Sequence, residues 1–113
     1  MNGNNKKQKM NDTQQQNRRY LKVFHVALYL KKQNKLNAAK VCFETTMDMY
    51  HPTACCHFHI AEILIIQNKK EEALKHIRIA TSIQPLITQY KQIEKMLCNQ
   101  IAKFGHISFN QKI

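Results

Sequence analysis

Cys55, Cys56, His57 and His59 form the densest group of side chains in the chain that could bind a metal ion. On a helix, residues three or four apart lie on one face, so Cys55 with His59, or Cys56 with His59, could present two converging ligands. A structural zinc site takes four ligands. No second pair stands at suitable spacing, and His51 and His76 would have to be brought in by the fold. Cysteine on a helix also packs as a small hydrophobe. The expectation is therefore no metal and no cofactor. Catalytic signals are equally poor. With only two glycines, Gly3 and Gly105, the chain cannot build a glycine-rich phosphate loop. It has neither a serine-centred nucleophile motif nor a helical paired-histidine zinc motif. Glu71 and Glu72 stand where acids favour a helix start, so a non-enzymatic role is expected.

The elements that would carry these residues follow from apolar spacing. Ile60, Ile63 and Leu64, then Ala73, Leu74, Ile77 and Ile79, recur at intervals of three and four. That spacing predicts two helices with one apolar face each. Gln67, Asn68, Lys69 and Lys70 interrupt it, and Asn68 is suited to end the first helix because asparagine tolerates the left-handed conformation. Ala61 and Ala73 are small where the helices must approach. Thr53, after Pro52, is the expected N-cap of the first helix.

The same pattern occurs earlier in the chain. A shift of 34 residues pairs Phe24 with Phe58, His25 with His59, Ala27 with Ala61, Gln33 with Gln67, Asn34 with Asn68 and Ala39 with Ala73. Val26, Leu30 and Phe43 fall opposite Ile60, Leu64 and Ile77. His57, Ile60, Ala61, Leu64, Ala73, Ile77 and Pro85 occupy the slots of the tetratricopeptide repeat, and the chain resembles that family in this stretch. It departs from the pattern at His57, where the family favours Trp, at Val23 in the first copy, and at Pro52, displaced by one from the position Pro85 predicts.

The resemblance implies an all-α fold, an α-α superhelix of two hairpins spanning 18–51 and 53–84. After Pro85 the family register fails. Leu86, Tyr90, Ile93, Leu97, Ile101 and Phe104 predict one amphipathic helix over 86–104 that covers the open end of the stack, with Gly105 as its stop. This places a helical domain over 18–105, a loose tail over 106–113, and a disordered Asn-, Gln- and Lys-rich tail over 1–17 that has almost nothing to bury.

By the same resemblance, Leu21, Phe24 and Leu28 of the first copy and Cys55, Phe58, Glu62 and Ile65 of the second would face a groove. The family's best-known pocket holds a terminal carboxylate with Lys and Asn from this face. The matching positions here are apolar or acidic, so that specificity is not implied. A protein partner offering an apolar helix or an extended segment is expected instead, in competition with the chain's own C-terminal helix. The segment 20–30, YLKVFHVALYL, is apolar nearly all round, which points to docking against another chain or a homo-oligomer formed through the first helix.

The net charge of +11, from 18 Lys and Arg against 7 acids, admits nucleic acid, anionic lipid and acidic proteins as partners. Dispersed as they are, these charges also fit a solvated surface. Lys6, Lys7, Lys9, Arg18 and Arg19 make a basic arm, and a nucleic-acid-associated subunit that binds phosphate through this arm and the Lys-rich turns is the alternative reading. No apolar run reaches the length of a membrane span, and residues 1–17 lack the hydrophobic segment of a secretion signal. Four cysteines without disulfide-scaffold spacing suit a reducing compartment. A cytoplasmic protein is expected, with nuclear and mitochondrial destinations left open.

Overall fold

A computed structural model describes residues 11–50 and 52–112. Lys6, Lys7, Lys9 and His51 lie outside the described residues. Five helices follow one another among the described residues: α1 (Asp12–Lys32), α2 (Leu36–Met49), α3 (Ala54–Ile66), α4 (Lys70–Ile83) and α5 (Thr88–Lys112). There is no strand among the described residues. Helices α1 and α2 pack closely as one hairpin and α3 and α4 as another; α2 lies on α3, and α5 lies on α4. The chain is thus an all-α stack of two hairpins and a terminal helix.

The period of 34 is reproduced at the level of single hydrogen bonds. Asn34 and Asn68 both take the left-handed conformation, with φ of 63° and 62°. The Asn34 N–H donates to Lys31 O and the Lys35 N–H to Leu30 O, at 3.0 and 2.9 Å; Asn68 to Ile65 O and Lys69 to Leu64 O repeat this at 3.0 and 2.8 Å. Each is a Schellman closure, which satisfies carbonyls the helix end leaves open. Replacing Asn68 with Ala should destabilise the fold by about 1–2 kcal/mol, because a Cβ without a local hydrogen-bonding group is costly in this conformation. Gly at the same site should be tolerated, and equal denaturation midpoints for the two variants would refute the assignment.

The core follows the same repeat. Ala27 and Ala61, Ala39 and Ala73, and Phe43 and Ile77 are equivalent pairs, and all six are fully buried. Thr46 and Ala80 are a further pair; the buried Thr46 hydroxyl donates to Cys42 O of its own helix at 2.8 Å. Thr53 caps α3 by accepting from the Cys56 N–H at 3.1 Å, and Glu71 and Glu72 occupy the first turn of α4. Ile79 departs from its expected place on the buried face: it is exposed, and Ala80 is buried instead.

Two boundaries differ from expectation. The disordered tail expected over 1–17 lies outside the described residues as far as residue 10, and from Asp12 onward the segment is helical instead. Its start is fixed by a capping box, in which the Asn11 side chain accepts from the Gln14 N–H at 2.8 Å and the Gln14 side chain accepts from the Asn11 N–H at 3.0 Å. At the other end, the helix expected over 86–104 runs from Thr88 to Lys112. Leu86 is left outside it and highly exposed, because Gln84, Pro85, Leu86 and Ile87 form a turn closed by the Ile87 N–H to Gln84 O at 3.4 Å. Proline favours the second position of such a turn. Gly105 does not stop the helix, and the expected tail over 106–113 is helical as far as Lys112. A glycine inside a helix costs only about 1 kcal/mol, and no proline follows to enforce an end. Tyr90 and Leu97 are buried along the predicted stripe, with Ile93 packed against the core beside them.

Candidate partner-binding groove

Helices α1 and α3 lie near enough for their side chains to touch, and this sets the groove. Phe24 of α1 lies 5.9 Å from the His59 ring of α3 and 5.8 Å from Phe43 of α2, while Phe43 stacks on His59 at 5.1 Å. Tyr20 continues the row toward the chain start, 6.2 Å from Phe24 and stacked on Tyr50 at 4.8 Å. In the other direction Phe58 lies 5.4 Å from His59 and 5.1 Å from Tyr90 of α5. The rings therefore form an almost unbroken line from the first hairpin to the terminal helix.

Of the groove residues expected from the sequence, Phe24, Leu28, Phe58 and Ile65 are half-buried and packed on the core. Leu21 is 47% exposed. Phe58 is covered in part by the chain itself, through Tyr90. Helices α1 and α5 are not among the extensively packed pairs, so the α5 contribution is concentrated on the second hairpin.

Glu62 does not stand alone as an acid in the groove. Lys31 donates to Glu62 Oε1, and His59 Nδ1 lies 3.1 Å from both Lys31 Nζ and Glu62 Oε1. Carrying a proton, Nδ1 donates to Glu62; without one, it accepts from Lys31. Burial pulls the Glu62 carboxyl upward, but the hydrogen bonds from His59 and Lys31, together with their charge, outweigh it and hold the group below its ordinary value. Lys31 stands 34 residues before Ile65, and Leu28 stands 34 before Glu62. The two copies thus exchange charge for bulk at these positions, and the charges of neighbouring copies meet. Sequence reading did not assign Lys31, His59 or Tyr90 to the groove. A shift of 34 back from Ile65, a groove position by resemblance, would have found Lys31.

The cysteine and histidine cluster disperses over several neighbours. His59 turns to Lys31 and Glu62, whereas His57, buried at the opposite side of α3, places Nδ1 2.9 Å from His76 Nδ1 on α4. Among the described residues no three His, Cys, Asp or Glu side chains gather as a metal site. Burial is the main cause that pushes the Cys55 and Cys56 thiols up, so neither is a poised thiolate at neutral pH.

The His57–His76 contact requires one ring to donate and the other to accept. Two imidazolium ions would place N–H against N–H. Burial holds both below their ordinary value of 6.5; the partner ring adds to this at His57, and Lys40 does so at His76. The unfolded chain therefore binds more protons here than the folded one as pH falls below 6.5, and folding loses stability in that window. Glu62, depressed below 4.5, adds a second loss at lower pH. A melting temperature that falls from neutral pH to pH 5 is expected, measured by thermal denaturation at the two pH values. The His57→Phe, His76→Gln double variant should flatten the first loss and retain the second.

No protein-family model, curated protein or solved structure matches the chain. No described helix is long and apolar enough to cross a membrane.

Proposed function

We propose that this chain is a non-catalytic protein-interaction module of the tetratricopeptide type, a small adaptor or assembly subunit that takes an apolar helix or extended segment against the first-hairpin half of its groove. The supporting observation is the row Leu21, Phe24 and Leu28 on α1: one exposed and two half-buried apolar side chains, outside the part of the groove that Tyr90 occupies. Phe58, Glu62 and Ile65 form its far wall, and the Lys31–Glu62 ion pair gives that wall a polar edge. Apolar anchors in such a site carry most of the binding energy, and the surrounding Lys and Arg speed encounter.

The test is an affinity capture from native extract, with and without nuclease, using the wild-type chain and Leu21→Asp. Leu21 is exposed enough that the variant should keep its fold. A groove partner should survive nuclease and bind the variant about 30-fold more weakly, as expected for loss of roughly 2 kcal/mol at a central anchor. Equal capture by both chains would remove the groove reading.

The nucleic-acid reading draws its support from one feature, a shallow open depression at the start of α1 lined by Gln15, Arg18, Arg19 and Lys22. Phosphate contacts weaken steeply with salt. An affinity for single-stranded RNA that falls about tenfold or more between 50 and 200 mM salt would favour this reading; an affinity for partner that is flat over the same range would favour the groove.

A further inference from the structure

The repeat supplies an internal measure of what the outer face of α1 lacks. In α3, Cys56, Ile60 and Ile63 are fully buried. They share a stripe with Gln67, whose side chain donates to Asn37 of α2 at 2.8 Å, so this is the face that α2 covers. The equivalent stripe of α1, 34 residues earlier, is Lys22, Val26, Tyr29 and Gln33. There Val26 is 50% and Tyr29 62% exposed, and among the described residues no helix lies over them. Two large apolar positions of the stripe, Ile60 and Ile63 in one copy and Val26 and Tyr29 in the other, are sealed in the first and open in the second.

We propose that this open face of α1 docks an acidic amphipathic helix from another protein, which takes the place relative to α1 that α2 takes relative to α3. The direction is set by the template. Asn37, at the start of α2, meets Gln67, at the end of α3, so the covering helix runs antiparallel. A helix docked in this way on α1 brings its C-terminal end to Arg18, Arg19 and Lys22. That end carries the negative pole of the helix dipole, and carboxylates in its last turns would add to the attraction. The covering helix in this chain has acids in its second half, Glu44 and Asp48. Apolar residues of the partner would lie on Val26 and Tyr29.

A second copy of the chain is a poorer occupant for two reasons. Two copies each carrying +11 would meet with their basic ends engaged. The outer face of α4, the only other surface of this kind in the stack of described hairpins, is already packed under α5.

The experiment uses the full isotope-labelled chain and three probes. The first is a stapled helical peptide of about 15 residues, long enough for four turns, with leucines on one face and glutamates in its last turn. The second has lysines in place of those glutamates, and the third is a single-stranded oligonucleotide. The glutamate peptide should bind at least about tenfold more tightly than the lysine peptide and shift the amide signals of Lys22, Val26 and Tyr29. Val26→Asp with Tyr29→Asp should weaken it by about tenfold or more, with helical circular dichroism retained because both sites are exposed. Leu21→Asp, which disables the groove, should leave it unchanged, so the two sites fail independently. Equal binding of the two peptides would overturn the proposal, as would shifts centred on the groove. Tighter binding of the oligonucleotide to the Arg18–Lys22 face would do the same, as would dimerisation in ultracentrifugation that the Val26 and Tyr29 changes abolish.

Discussion

Replacing Phe43 with Ala should destabilise the fold by about 3–5 kcal/mol, the range for removing a fully buried aromatic ring. Phe43 is fully buried, lies edge-on to Phe24 and stacks on His59. It therefore joins α1, α2 and α3 at one point. The loss combines the transfer of the ring into water, the cavity left behind, and ring–ring contacts worth about 0.5–1.5 kcal/mol each. Natural domains hold only about 5–15 kcal/mol in total, so the variant should be substantially unfolded at 37 °C or melt many degrees earlier. Ile77, the equivalent residue in the second hairpin, should lose about 2–5 kcal/mol on the same change. Urea denaturation followed by circular dichroism measures both. If Phe43→Ala costs under about 1 kcal/mol, this residue is not the junction of the first three helices.

The second large effect is the converse, a residue made too big. Ala61 is fully buried on α3 at the position equivalent to Ala27 on α1, and Ala73 is fully buried on α4. The α3–α4 hairpin is among the most extensively packed pairs of helices. Ala61→Leu inserts three carbons into this contact and should cost about 1–3 kcal/mol by forcing side chains off their rotamers or the helices apart. The effect should pass into the groove, because α3 also carries Phe58, Glu62 and Ile65. A change in Phe58 and Tyr90 ring signals in the variant would report that displacement. Ala61→Ser, nearly isosteric, should cost much less, and an equal loss in the two would point to polarity rather than volume.

Much of this arrangement can be read directly in the chain. The pairs Ala27 with Ala61, Ala39 with Ala73 and Phe43 with Ile77 are matched in type at a spacing of 34, and each pair shares one environment. Asn34 and Asn68 announce their left-handed turns because few other residues accept that backbone. The capping box at Asn11 and Gln14 is an equally local signal, and it was outweighed by the polar composition around it. Gly105 misled for the opposite reason. Glycine permits a helix end without requiring one, and only proline or a satisfied cap enforces it.

The contacts that give the groove its character could not be read in the same way. Lys31 and Glu62 are 31 residues apart, and His57 and His76 are 19 apart. No local preference couples such residues; the packing of α1 beside α3, and of α3 on α4, brings them together. Val26 and Ile60 show the division most clearly. Composition and period assign them the same slot, the same apolar character and the same face of a first helix. One is half exposed and the other fully buried, because burial belongs to the neighbour as much as to the residue, and among the described residues only the second hairpin has a helix in front of it.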